Sequence, residues 1–317
     1  MAKPNLENAA LKRIFAFEAR PVPPFNFEAT YKPSHFETPL EKYEEGTYWF
    51  TMRFLGKVFG AKMWSEGMIG KPRVKAVIYA KKGIGKEEKT RLVEELSYRL
   101  GFSEDINEFI GLAEKQAIMK EPLKRLKGMR VTALESLYEL LIIAIVLQNA
   151  NVARTRAMMK NLLEMFGEKV VFDGKELYAF FTPKDIVKAK KRDLNACKLG
   201  YRDKFVLAVS KSFLKKEIDE LKLRKLPKEQ AKKELMKLTG IGEYSAGIFL
   251  FEALKHYDEL VLDVWNTPIF AKQLFGRESQ NKEKVLKEME KRFGRWTGLA
   301  GLYILENIYW KEREKKL

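Results

Sequence analysis

The feature that most narrows the fold is a pair of glycines, Gly240 and Gly242, set between two apolar helical stretches. Leu235-Met236-Lys237-Leu238 closes an amphipathic helix, Gly240-Ile241-Gly242 permits a tight turn, and residues 246–254 resume a helical apolar spacing. Glycine suits such a turn because positive φ costs it nothing and its missing Cβ lets backbone amides approach a ligand closely. The second helix then turns its free amides and positive dipole end toward an anion such as phosphate. A plain structural hairpin uses the same turn, so a second feature is needed. Downstream, Leu260-Val261-Leu262-Asp263-Val264-Trp265-Asn266-Thr267 sets one carboxylate in an apolar run just before a helix beginning near Thr267-Pro268. A carboxylate in such surroundings is costly unless it is paired or has a task. Capping the next helix, or a buried ion pair, is the structural alternative for Asp263.

Composition says what such a hairpin could serve. The 317 residues carry a formal net charge of +17, with 46% hydrophobic residues, so the chain is globular and strongly basic. Between Lys184 and Lys237 stand 18 Lys and Arg against 8 Asp and Glu, which concentrates the excess immediately before the hairpin. A basic surface points to a polyanion, although a Lys-rich helix face is also simply a solvated one. The one cysteine, Cys197, and two histidines exclude an intramolecular disulfide, a Cys/His zinc site and a cysteine-ligated iron–sulfur cluster. The longest apolar run, Leu140 to Leu147, is too short to span a membrane, and the first residues show no secretory h-region, so an intracellular, cytoplasmic protein is expected. Dense Lys and Glu with little Cys resembles a thermophile proteome.

The chain divides near residue 125. Residues 25–31, 47–54 and 73–80 are short, aromatic or β-branched, and partly alternating, with Pro21, Pro23, Pro24, Pro33, Pro39 and Gly46 as breaks; they predict an antiparallel sheet. Helices are expected over 86–100 and 106–119. From about Val131 the apolar spacing is helical through 133–148, 152–166 and 204–214, with Gly167 and Gly200 as stops and Pro183 at a helix start. The expected organisation is an α+β domain with an antiparallel sheet over 1–125 and a mainly α domain over 126–317, the hairpin occupying about 228–255.

Taken with Asp263, the hairpin resembles the helix-hairpin-helix DNA glycosylase superfamily, over about residues 126–308. Arg125-Leu126-Lys127-Gly128-Met129-Arg130 with Leu134-Glu135-Ser136-Leu137 looks like the entry to that family's helical domain. Gln148-Asn149-Ala150-Asn151-Val152-Ala153-Arg154 resembles the asparagine-rich turn of the 8-oxoguanine branch, and Gly200-Tyr201-Arg202 its Gly-Tyr-Arg turn. Phe293-Gly294-Arg295-Trp296-Thr297-Gly298 is similar to its closing helix. The resemblance implies a wedge of Gln148, Asn149, Arg154, Tyr201 and Arg202 that fills the gap left by a flipped base, chemistry their amides, guanidinium groups and ring suit. A polar helix end and a lone surface aromatic are the plain reading of the same residues.

The sequence also departs from that branch. Bifunctional members carry a nucleophilic lysine two residues after the second hairpin glycine; here that position is Tyr244, and Gly240-Ile241-Gly242-Glu243-Tyr244-Ser245-Ala246 is similar to the Gly-Ile-Gly-x-Trp-Thr-Ala of alkyl-purine glycosylases. The positions of a purine-reading Gln and a stacking Phe are Gly301 and Leu305. Lys237 and Lys255 do not obviously replace the lysine. The resemblance thus implies a monofunctional glycosylase for alkylated purines, intermediate between the two branches, with Asp263 catalytic and Tyr244, Trp265 and Trp296 lining a base pocket. Leu238, Gly240, Gly242, Glu243, Tyr244 and Ser245 would bind phosphate. An 8-oxoguanine glycosylase/lyase, and a non-catalytic nucleic-acid binder, are the other readings. Double-stranded DNA with a damaged base is the expected partner, and a monomer the expected state. No catalytic metal is implied, and a monovalent sodium or potassium ion is expected at the hairpin carbonyls around Leu238–Gly242.

Overall fold

The computed structural model describes residues 9–32 and 38–315; the Pro33 break lies outside the described residues. Five antiparallel strands form the N-terminal sheet in the order Lys12–Ala19, Val74–Ala80, Lys57–Ser65, Thr47–Phe54, Glu41–Glu44. Two of these were expected, Thr47–Phe54 without any change of bounds. Residues 25–31 are a correction: Phe27–Tyr31 is a short helix, because Asn26 caps it by accepting the Ala29 amide at 3.0 Å. Its aromatic spacing serves the core instead, where Phe25, Phe27 and Tyr31 pack on the sheet with Tyr48 and Phe50. The strand Lys57–Ser65 is obscured in sequence by Gly60, whose reason is packing, since a Cβ there would lie 2.7 Å from the Phe172 ring.

Phe172 belongs to a β-hairpin, Glu168–Phe172 and Lys175–Ala179, sent back from the helical half and joined by a parallel bridge to Ala9–Ala10. It seats on the larger sheet through Val170, Phe172 and Leu177 against Trp49, Val58 and Tyr79. Asp173 at its tip accepts from Trp49 Nε1 at 2.8 Å and Tyr79 at 3.0 Å, and pairs with Lys62 at 2.9 Å. In the opposite sense, the helices Asn107–Ala113 and Lys120–Leu126 join the C-terminal core, with Phe109 edge-on to Tyr303 at 4.9 Å. Packing therefore runs across residue 125 in both directions.

The helical half is built round Leu137–Leu147, apolar all round beyond Glu139 in its first turn and buried by the helices Val152–Phe166, Asp203–Leu214, Lys228–Met236 and Glu243–Glu252. Its start is set by a capping box in which Ser136 and Glu139 bond each other's backbone amides. Pro183 opens Pro183–Lys188 as expected. Among the described residues no helix is long and apolar enough to cross a membrane.

Candidate active site

The hairpin takes its shape from its glycines and from two buried anchors, Leu238 and Ile241. Gly240 has φ +91°, and a Cβ there would lie 2.5 Å from the ring of Phe205. Gly242 is different: its φ is −103°, it caps Glu243–Glu252, and nothing stands within 4 Å of where a Cβ would point. The first intrahelical bond runs from Ala246 to the Gly242 carbonyl at 2.9 Å. The amides of Gly242, Glu243, Tyr244 and Ser245 thus precede any helical acceptor and form the anion-facing end. Glu243 and Tyr244 are exposed, whereas the Ser245 side chain is buried, so Ser245 can offer only its amide.

Asp263 is a helix cap and more than a cap. Its Oδ1 accepts the amides of Trp265 at 2.8 Å and Asn266 at 2.7 Å, while Asn266 Oδ1 accepts the Asp263 amide at 2.9 Å. This reciprocal pair starts Asn266–Phe275 and holds the carboxylate in one orientation. Its Oδ2 is left to face the hairpin, where the Tyr244 hydroxyl donates to it at 3.3 Å. Burial, and then the Asp263 charge, push the Tyr244 phenol up to about 12, so it stays protonated as a donor. The structure thus places the tyrosine of the lysine position directly against the carboxylate.

Trp265, half exposed, lies flat on Tyr309 with centroids 5.7 Å apart and planes 8° from parallel. Tyr309 sits in the last helix, Thr297–Glu314. Burial first, then the charges of Glu306, Asp263 and Glu312, raise its phenol well above the usual range. Sequence reading missed it, yet a signal existed: Gly301, Leu305 and Tyr309 recur every four residues on one helix face. The space a side chain at Gly301 would need is filled by Leu260, 2.5 Å from the Cβ position. Gln280 Nε2 and Lys282 Nζ, also missed, donate to the carbonyls of Val264 at 3.2 Å and Leu262 at 3.0 Å, on either side of Asp263.

Trp296 is a correction. It is 7% exposed and packs on Tyr257 at 5.8 Å and Phe109 at 6.0 Å, inside the C-terminal core rather than in a base pocket. The reason is positional, since it lies in the turn that begins the last helix and faces the helices before residue 126.

The wedge set divides in the same way. Asn149, at φ +46°, and Tyr201 are exposed and bonded to each other at 3.1 Å, and Arg154 reaches to within 3.7 Å of the Cβ position of Gly200. Arg202 is a correction: 1% exposed, it donates to the Gln148 carbonyl through Nε at 3.0 Å and through Nη2, and to the Leu199 carbonyl at 3.1 Å. Gln148 is turned inward as well, its Nε2 donating to the Gly240 carbonyl at 2.7 Å. Arg202 thus ties the two wedge turns to each other and Gln148 ties them to the hairpin, instead of probing DNA. Of the two lysines considered as replacements, Lys237 pairs with Glu234 at 2.6 Å and Lys255 is buried against Glu104 and the Val131 carbonyl.

Comparison with known proteins points the same way. Residues 142–295 match the HhH-GPD family, described as HhH-GPD superfamily base excision DNA repair protein. The chain is similar to the DNA-3-methyladenine glycosylase of Bacillus subtilis, 23% identical over 206 residues that cover 65% of this chain and 68% of that protein. Its fold is that of the 3-methyladenine DNA-glycosylase from Archaeoglobus fulgidus, with a TM-score of 0.77, 20% identity, and 93% of this chain and 98% of that chain covered. The Clostridium acetobutylicum 8-oxoguanine glycosylase/lyase in its apo form shares the fold at a TM-score of 0.70 and 19% identity, covering 94% and 98% of the two chains. Residues 142–295, just under half of the chain, thus carry the match to the HhH-GPD superfamily of base excision DNA repair proteins, and the chain's class is that of the DNA N-glycosylases.

Proposed function

We propose that this glycosylase is monofunctional and releases an alkylated purine from double-stranded DNA by hydrolysis, with Asp263 as the catalytic carboxylate. The observation that carries the reading is the Tyr244–Asp263 contact, a phenol where an amine nucleophile would have to stand. A phenol forms no Schiff base with the sugar, which leaves water as the nucleophile. As the N-glycosidic bond lengthens, positive charge develops on the deoxyribose; Asp263 Oδ2 stabilises it and orients or deprotonates the attacking water. Orientation needs no reorganisation during the step because Oδ1 is already held by two amides.

The stacked Trp265 and Tyr309 supply the platform for the flipped base. Their surroundings support a cationic base, since Glu306, Glu312 and Asp263 all act on Tyr309 and an alkylated purine carries the complementary charge. Asn149, Tyr201 and Arg154 would occupy the vacated stack. The Leu238 and Gly240 carbonyls each accept one hydrogen bond, from Ile241 and Gln148, and each retains a second lone pair, a donor set that fits a monovalent cation.

The test is base release from alkylated, deaminated and oxidised duplexes by the wild type and Asp263→Asn. The expected result is release of alkylated purine, reduced by about 10²-fold or more in the variant. Full activity in Asp263→Asn removes the catalytic assignment. A covalent adduct trapped by borohydride overturns the monofunctional reading in favour of a lyase, and binding without release from any duplex overturns both.

A further inference from the structure

The segment that delivers Asp263 is threaded between two helices by three glycines. Glu259, Leu260 and Val261 run between the second hairpin helix, Glu243–Glu252, and the last helix, Thr297–Glu314. A Cβ at Gly247 would lie 2.9 Å from Val261 Cγ2 and 3.1 Å from Glu259 Oε1. One at Gly298 would collide with the Glu259 carbonyl, and one at Gly301 would lie 2.5 Å from Leu260 Cδ1. The amide of Gly298 donates to the Tyr257 carbonyl at 2.7 Å, fixing the thread on that side.

On the other side it is held by charge. Lys228 and Lys232, one turn apart on the first hairpin helix Lys228–Met236, both reach the thread. Lys228 meets Asp258 at 2.6 Å and Glu259 at 3.4 Å, and Lys232 meets Glu259 at 3.4 Å. Glu259 is mostly buried, its side chain 15% exposed, so these pairs are screened less than surface ones. Burial opposes the Lys228 ammonium, yet Asp258 and Glu259 more than offset it and hold its pKa above the ordinary lysine value.

We propose that Glu259, with Lys228 and Lys232, is a positioning clamp that couples the phosphate-binding hairpin to the catalytic loop, so that engagement of the DNA backbone fixes where Asp263 stands. The proposal rests on Asp263 being the catalytic carboxylate. Three residues separate Glu259 from Asp263, and the intervening backbone is pinned by Asn266 Nδ2 on the Val261 carbonyl at 2.9 Å. A shift of the clamp is therefore passed along a short, constrained thread rather than lost in a loose loop. The same contacts account for cations that the sequence put among the DNA-facing ones: Lys228 and Lys232 are spent inside the protein.

The test is single-turnover release of alkylated purine at saturating enzyme, beside the affinity for an abasic duplex and the melting temperature, for Glu259→Gln, Lys232→Gln, the reversals Glu259→Lys and Lys232→Glu, and the double reversal. The clamp predicts a release rate down about tenfold in each single variant, with affinity within about twofold of wild type, because misplacing a catalytic group costs rate rather than binding. The double reversal restores most of the rate. Single variants that release base at the wild-type rate, or whose loss is wholly a loss of affinity, overturn the proposal, as does a double reversal slower than both singles. Asp263→Asn measured alongside separates the two ideas: its full activity removes the catalytic reading, whereas an inactive Asp263→Asn with unaffected Glu259 and Lys232 variants removes the clamp alone. Where Glu259→Gln melts at much lower temperature, Lys232→Gln, on a partly exposed side chain, carries the measurement.

Discussion

At the scale of single residues, Tyr244 combines two contributions that mutation can separate. Its ring stands partly exposed beside Asp263, and its hydroxyl donates to Asp263 Oδ2. Tyr244→Phe keeps the first and removes the second; with a hydrogen bond of this kind contributing about 1 kcal/mol, the release rate should fall about fivefold. The shape of the pH–rate profile should not change between about pH 6 and about pH 10, because both burial and the Asp263 charge keep the phenol neutral until its pKa of about 12. A Phe variant that abolishes release, or that removes an alkaline limb from the profile, would mean that Tyr244 titrates in the reaction. What sequence could show of this site followed from chemistry that is local along the chain: Asp263 and Tyr244 each stand within a few residues of a recognisable motif. Trp296 and Arg202 misled because residue type does not encode direction. Both sit beside exposed motif residues, Arg295 and Tyr201, and turn the other way, one into a core and one onto two carbonyls.

At the scale of elements, the two hairpin glycines do different work, although in sequence they are alike. Gly240 is required by the fold, through its φ of +91° and the Phe205 ring that fills its missing side chain. Gly240→Ala combines a left-handed backbone with overpacking and should cost about 2–5 kcal/mol of stability, read by denaturant unfolding. Gly242 is constrained by neither. Gly242→Ala should leave stability near wild type yet crowd the phosphate; loss of one amide–phosphate bond, about 1.5–3 kcal/mol, weakens duplex binding by about tenfold or more. Equal effects of the two substitutions on stability would contradict this division. Helices were legible in sequence where apolar spacing and caps agreed, as at Val152–Phe166 between Asn151 and Gly167. Strands were less so: Lys12–Ala19 and Lys57–Ser65 take their identity from partners 40 or more residues away in one case and from a ring donated by another sheet in the other. The β-hairpin Glu168–Ala179, whose hydrophobic face exists only against Trp49 and Tyr79, left no mark that a one-dimensional reading could weigh.

For the molecule as a whole, the question is how a net charge of +17 meets DNA. The basic stretch before the hairpin does not face outward as a block. Arg224 pairs with Glu95 at 2.7 Å and with Glu220, and Lys228 and Lys232 hold the loop of Asp263. Lys204 is placed otherwise: it is exposed and stands 5.0 Å over the ring of Phe205, the ring that fills the space at Gly240. It therefore flanks the turn whose amides should meet phosphate. Each phosphate contact releases condensed counterion, so the slope of log affinity against log salt counts the cations that engage the backbone. Lys204→Gln should weaken binding to damaged and undamaged duplex alike and reduce that slope by about 1. Lys228→Gln should leave the slope unchanged while slowing base release, because its charge is already neutralised within the protein. Salt titrations of the two variants separate cations that bind DNA from cations that shape the site, and equal slopes for both would return the whole basic stretch to the DNA surface.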